Sequence, residues 1–278
     1  MAKSKGRLRQ DRSRTRQAAE GRRGAPESRP AQSSLSPGSE EVTPKLTLVA
    51  TPIGNLGDIS PRSRLALIEA DIWVVEDTRI SSKLGHVLEV KKPMRVANDH
   101  TDDYKLNQIL DEIEAGRTAA VLTDGGAPGV SDPGSRLADL AHERGIEVDA
   151  IPGPSAPITA IMLSGYYAQR FAFLGFLGRT KGAMRKELAQ YVDSPYTLVL
   201  FESPHRFRNL LEVTAEVLGF RRYAICREIT KLNQQVFRST LPIIPNEDEV
   251  PGKGEFTIVV EGHRRSPQDA EHAKLDFE

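Results

Sequence analysis

From Lys45 onward, short apolar runs alternate with segments whose apolar positions recur every three or four residues. KLTLVA (45–50), DIWVVED (71–77), MRVAND (94–99), AAVLTD (119–124) and VDAIPG (148–153) read as buried strands. The segments between them carry helix punctuation. SPRSRLALIEA (60–70) opens on a serine and a proline, TRISSKLGHVLEV (78–90) has a basic face, and TDDYKLNQILDEIEAG (101–116) has an acidic start and a glycine stop. Further helices are expected over 132–144, where Ser131-Asp132-Pro133 reads as the start, and over PSAPITAIMLSG (154–165). Such alternation predicts an α/β fold with a parallel sheet and a ligand site at the strand C-termini.

The pattern changes near 165–170. FAFLGF (171–176), YTLVLFES (196–203), YAICREI (223–229), VFRSTL (236–241) and EFTIVVEG (255–262) read as strands, with two helices between them at 181–192 and 206–218. This predicts an α+β second domain. The expected division is a disordered basic tail at 1–44, an N-terminal α/β domain at 45–165, a C-terminal α+β domain at 166–263, and a disordered C-terminal tail at 264–278.

Charge sharpens the tail. Residues 1–37 hold ten Lys/Arg against three Asp/Glu, a balance of +7, so the rest of this neutral chain carries −7. The tail is rich in Ser, Gln, Gly and Pro and poor in large apolar residues, a composition that cannot offset ordering entropy. Attraction to nucleic acid and simple solubilisation are both open to it. The lone cysteine, Cys226, excludes a disulfide framework and points to a reducing, cytoplasmic setting. The six histidines are scattered with no metal-ligand spacing, and no apolar run reaches membrane-spanning length, so neither a metal nor a membrane is expected.

Candidate chemistry gathers at strand ends. LTDGGAPGVSDPGSR (122–136) puts Gly125, Gly126 and Gly129 between a strand and a helix, more glycine than an ordinary βα turn needs. ATPIGN, VVEDTR, IPGPSAP and FESPHR share the style, and in a parallel sheet such ends converge. No P-loop spacing occurs, and the Gly-x-x-Gly of Gly54 and Gly57 is weak by itself.

Seven stretches together resemble the ribosomal RNA small-subunit methyltransferase I family, within the tetrapyrrole-methylase-like enzymes that use S-adenosylmethionine (SAM). They are LVATPIGNLGDISPR, VVEDTRISSKL, DGGAPGVSDPG, PGPSA, FESPHR, REITK and GEFTIVVEG, in family order over about residues 46–262. The resemblance implies two domains flanking a cleft, a homodimer, and 2′-O-methylation of a decoding-centre cytidine in 16S rRNA of the small ribosomal subunit. Carried over by position, SAM would lie against Pro52, Asp124, Gly125, Gly126, Ala127, Pro128, Val130, Ser131, Ser155 and Ala156.

The sequence departs from the family pattern at Ala127, where a hydroxyl is usual, at Ala97-Asn98-Asp99-His100, and at Gln234 and Gln235, where acids are usual. A small-molecule methylase of the same fold, or a non-catalytic homologue, is the alternative reading.

SAM carries an activated methyl group, so positioning matters more than strong acid–base chemistry. A ribose hydroxyl must still lose a proton, and Asp99, His100 and Lys231 are the candidates to assist. Asp77 and Glu202 also qualify, although both stand where a helix-start cap would. Phosphate contacts are expected from Arg79 and Lys83, spaced i, i+4, from Arg179, Lys181, Arg185 and Lys186, and from Arg206. Phe207 stands beside the last of these as a base-stacking or a core residue.

Deleting residues 1–40 should slow association with RNA and leave the methylated position and the turnover of bound complex unchanged. The effect should shrink with salt, because steering acts over about 8 Å at physiological ionic strength. Single-turnover kinetics on purified small subunits at two salt concentrations measure this. A changed methylation site would place the tail in the active site.

Overall fold

A computed structural model of the chain describes residues 45–98, 100–130 and 134–264. The tails expected at 1–44 and 264–278 (except Arg264), Asp99 and the helix start expected at 131–133 lie outside the described residues.

Five strands form the first sheet: β1 (Lys45–Val49), β2 (Ile72–Val75), β3 (Met94–Val96), β4 (Thr118–Leu122) and β5 (Glu147–Ile151). Their order is β3-β2-β4-β1-β5 and every pairing is parallel. Helices α1 (Pro61–Glu69), α2 (Thr78–Leu88), α3 (Asp103–Glu114) and α4 (Gly134–Glu143) connect them. Successive strand residues face opposite sides, and both sides are buried. Leu46, Ile72, Val74, Ala119 and Val121 pack with α3 and α4, while Val49, Trp73, Val75, Ala120 and Leu122 pack with α1 and α2. Hence IWVV is a continuous apolar run rather than an alternation.

Local signals set the helix ends. Ser60 accepts from Ser63 N at 2.9 Å and Asp77 from Arg79 N at 2.8 Å, each capping the helix that follows. The short helix Leu56–Asp58, capped by Asn55, was not apparent in the apolar pattern.

The helix α5 (Ala156–Ser164) leads into the second sheet: β6 (Phe171–Phe176), β7 (Thr197–Glu202), β8 (Arg222–Arg227), β9 (Gln235–Thr240) and β10 (Phe256–Val260), in the order β6-β7-β10-β8-β9. Only β6 and β7 run parallel. Helices α6 (Lys181–Ala189) and α7 (Phe207–Leu218) bury one face through Met184, Leu188, Phe207 and Leu210. The other face receives α5, with Ala160 among Ala224, Cys226 and Val259. Cys226 is fully buried there, and burial pushes its thiol up to about 12, so it is an inert core residue.

The loop after β1 reaches the turn between β8 and β9. Asn55 N donates to Thr230 Oγ1 at 3.1 Å. A Cβ on Gly54 would lie 2.5 Å from Lys231 Cγ and 2.9 Å from the Ile229 carbonyl oxygen. The residue has to be glycine for close approach of two loops, whereas a Cβ on Gly57 would meet only the Asn55 side chain.

Gly54→Ala should therefore destabilise the protein by roughly 1–3 kcal/mol, the usual cost of overpacking, and Gly57→Ala by less. Urea midpoints of the two variants measure the difference. Equal midpoints would mean that the loops separate without cost.

Candidate active site

β1 and β4 are neighbours in register, so their C-terminal loops emerge side by side. Two backbone hydrogen bonds lock them together, Thr51 N to Gly126 O at 2.9 Å and Gly126 N to Thr51 O at 3.1 Å. Thr51 Oγ1 donates to the Thr123 carbonyl at 3.4 Å, and Gly125 N donates to Thr123 Oγ1 at 3.2 Å. Gly126 adopts φ +102° and Gly129 φ +86°, which side chains rarely tolerate. Gly125 differs, with no positive φ. A Cβ there would stand 3.3 Å from Pro52 O and 3.7 Å from Ile53 Cα, so glycine lets the loops after β1 and β4 approach closely.

Beside these loops lies a cleft of about 440 Å³, within the range of small-molecule sites. Ile53, Asp124, Gly125 and Ala156 form its wall on the first sheet, and Ala156 opens α5 with its backbone amides turned to the helix start. Ser155 is the N-cap residue, and its hydroxyl makes no capping bond. Phe176, Phe201, Ser203 and Pro204 form the opposite wall, and Ile229, Gly254, Glu255 and Thr257 close it.

Charge on the walls is paired and directional. Burial, and then the neighbouring Asp77 charge, raise the Asp124 carboxyl above the ordinary aspartate range. Asp77 itself is held down at about 2, because the Arg79 guanidinium grips it at 2.5–3.1 Å. Lys231 Nζ lies 3.1 Å from Glu228 Oε1 and 3.0 Å from Glu255 Oε2. Burial disfavours its charge, but its hydrogen bonds to Glu255 and Glu228 outweigh this and raise its pKa. The turn that carries it is strained, with Glu228 at φ 51° and Thr230 at φ 65°.

The sequence-based candidates divide accordingly. Asp124, Gly125 and Ala156 line the cleft, and Pro52, Gly126, Ala127, Pro128, Val130 and Ser155 belong to the same three loops. Ser131 and Asp99 lie outside the described residues. His100 sits exposed after the edge strand β3, its backbone N–H on Asn98 Oδ1 at 3.1 Å, and is not on the cleft wall. Lys231 is held as an ammonium, so it is not available to accept a proton. Asp77 is a helix cap clasped by Arg79. Glu202, at the end of β7, is buried and also lines the cleft. Its Oε1 accepts from Ser203 N at 2.8 Å, and Oε2 lies 3.1 Å from Arg206 Nη2.

The basic residues are also partly engaged. Arg206 donates to the carbonyls of Leu177 and Gly178, both at 3.2 Å, which ties down the chain after β6. Lys181 pairs with Glu212 and Arg185 with Glu216, in exposed bridges worth about 0–1 kcal/mol that a phosphate can displace. They stand on α6, as the helix expected over 181–192 implies. Arg79, Lys83, Arg179 and Lys186 are exposed. Phe207 is fully buried and stacked on Phe256 at 4.5 Å, which makes it a core residue.

The departures from the family pattern have local uses. Gln234 Oε1 accepts from Thr230 N at 2.7 Å, as a carboxylate would. Gln235 Nε2 donates to Glu249 O at 2.6 Å, which a carboxylate could not do. The sequence reading missed Phe176, Phe201 and Thr257. Their strands read as uniformly apolar, so nothing in the pattern marks which face meets the cleft.

Residues 45–244 match the family of Tetrapyrrole (Corrin/Porphyrin) Methylases. The chain is 39% identical over 219 residues to "Ribosomal RNA small subunit methyltransferase I" of Halalkalibacterium halodurans, covering 78% of this chain and 76% of the relative. It is 37% identical over 229 residues to the protein of the same name from Bacillus subtilis, covering 81% and 78%. A crystal structure of diphthine synthase superposes with a TM-score of 0.60 at 15% identity, covering 82% of this chain and 93% of that one, which is a likeness of fold.

The raised Asp124 pKa has a consequence for stability. The folded protein binds this proton more tightly than the unfolded chain, so ionisation costs stability. That cost is absent below the unfolded value, appears as pH rises towards the folded value, and is full at neutral pH. Asp124→Asn should raise the urea midpoint at about pH 7 and leave it unchanged near pH 3. A lower midpoint at both pH values would show the carboxylate to be a needed acceptor instead.

Proposed function

The chain belongs to the ribosomal RNA small subunit methyltransferase I family, within the tetrapyrrole methylases, and from that premise we propose that it transfers a methyl group from SAM to rRNA of the small ribosomal subunit. The finer reading is 2′-O-methylation of a decoding-centre cytidine in 16S rRNA by a cytoplasmic homodimer. In it, domains at 45–165 and 166–263 flank the cleft. Among the described residues no helix is long and apolar enough to cross a membrane, and no cluster of acids, histidines or cysteines suits a metal.

The observation that carries the proposal is the cleft itself. It has the volume of a small-molecule site, lies at the C-terminal edge of a parallel sheet, and has bare backbone at Gly125 on its wall. SAM fits such a site: Gly125 puts backbone without a side chain on the wall, the start of α5 offers amides to a carboxylate, and the Ser155 hydroxyl makes no capping bond. Pro52, Asp124 to Pro128, Val130, Ser155 and Ala156 would hold it, with Ser131 among them by position.

When bound, SAM supplies a methyl group already activated on a sulfonium. The protein's part is alignment and exclusion of water. Acceptance of the hydroxyl proton falls to a carboxylate of the wall, Asp124 or Glu255, while the Lys231 ammonium favours the developing negative charge. Arg79, Lys83, Arg179 and Lys186, joined by Lys181 and Arg185 as their bridges open, would hold phosphates around the cleft.

Mass-spectrometric mapping of ribose methylation in small-subunit rRNA, with and without the protein, tests the reading, with precorrin as the competing acceptor. Gly125→Val should abolish SAM binding in calorimetry on a folded protein, because the added side chain would press on the Pro52–Ile53 backbone and push apart the two loops that form the wall. Gly126→Val would instead strain the loop at its positive φ. Methyl transfer to precorrin and not to rRNA would overturn the proposal, and so would SAM binding unchanged by Gly125→Val.

A further inference from the structure

We propose that Phe176 is the platform on which the unstacked base of the target nucleotide lies. The proposal rests on the rRNA methyltransferase reading and assigns that substrate a place on the second wall of the cleft.

The argument starts from strand register. Along β6, Ala172 and Leu174 pack on the core beneath α6 and α7. Simple alternation would send Phe176 to the same side. It does not go there. The pairing of β6 with β7 runs Phe173 to Val199, then Gly175 to Leu200 and Phe176 to Phe201, so one residue of β6 is extra. This is a β-bulge, and Gly175 at φ +60° accommodates it. A one-residue shift transfers every later side chain to the opposite face. Phe176 therefore comes out opposite Phe201 on the cleft side, and Thr257 stands across from Phe201 on β10.

The result is an exposed aromatic ring on a rigid support. Phe176 is 62% exposed although it lies at the end of a paired strand. Its ring leans on Phe201 at 5.6 Å and 56°, and Phe201 meets Phe173 edge-on at 5.0 Å and 72°. The chain just beyond is clamped by Arg206 through the Leu177 and Gly178 carbonyls, so the ring is held in place before any ligand arrives. Across the cleft stands the glycine loop proposed to hold the methyl donor.

The surroundings identify the occupant as a nucleotide. An apolar small molecule would need no cation nearby, but the exposed Arg179 follows Phe176 by three residues, ahead of α6. An exposed aromatic face with a cation close by along the chain is a surface on which proteins hold a splayed RNA base and its phosphate. This also gives the Glu202–Arg206 pair a purpose. It positions the platform, and Arg206 acts through the backbone that carries Phe176.

The test compares Phe176→Ala, Phe176→Leu and Phe176→Trp with the unaltered protein in methyl transfer to purified small ribosomal subunits. SAM affinity is read separately by calorimetry and folding by thermal unfolding. The ring is exposed, so all three variants should fold and bind SAM as the parent does. Phe176→Ala and Phe176→Leu should lose about 5- to 150-fold in kcat/KM for subunits, the worth of one base–aromatic stack, and Phe176→Trp should retain activity. Leucine matching the parent would overturn the platform, because apolar bulk would then suffice. A loss of SAM affinity in Phe176→Leu would place the ring in the donor site and overturn it equally. If the unaltered protein transfers no methyl group to subunits, the functional reading fails first and the platform falls with it.

Discussion

Two backbone hydrogen bonds between Thr51 and Gly126 hold the site together. They join the loops after β1 and β4, and they require a positive φ at Gly126. With the loops joined, Gly125 presents its backbone to the cleft and Ile53 stands on the wall. Gly54 is then carried against the strained turn that bears Lys231. Without that tie, the glycine-rich segment would be an ordinary long connection, and the two sheets would lose one of their shared boundaries.

The cleft has two unlike walls, and each follows from its sheet. The parallel sheet ends in loops, so its wall is backbone, glycine and one carboxylate of raised proton affinity. The mixed sheet offers the face not covered by α6 and α7, so its wall is aromatic. A wall of bare amides suits a polar, carboxylate-bearing donor, and an aromatic wall suits a planar acceptor. The charged residues nearest the cleft are largely paired with one another: Asp77 with Arg79, and Lys231 with Glu228 and Glu255. Such pairing fixes orientation and keeps Lys231 protonated.

Much of the fold was legible in the chain itself. Each strand and longer helix expected from the apolar pattern is present, because helix punctuation such as Ser60-Pro61 and Asp77 acts locally. The glycine loop was legible too, since three glycines in one strand-to-helix connection signal backbone that must bend or be approached. Side-chain duty was less legible. Arg206 reads as an RNA contact and Phe207 as either base-stacking or core; in the structure Arg206 also holds the backbone after β6, and Phe207 is core. Their neighbours in space, Leu177 and Phe256, are far away in sequence.

The sequence by itself determined the order of elements, the glycine loop and the family to which the chain belongs, because these depend on local conformational preference and on motifs read in line. Only the tertiary structure decided which residues share the cleft. Gly54 and Lys231 meet across more than half the chain, and a single extra residue at the Gly175 bulge turns Phe176 from the core to the cleft. A β-strand's two faces differ by one residue of register, and register is set by the partner strand, which an apolar run such as FAFLGF does not reveal.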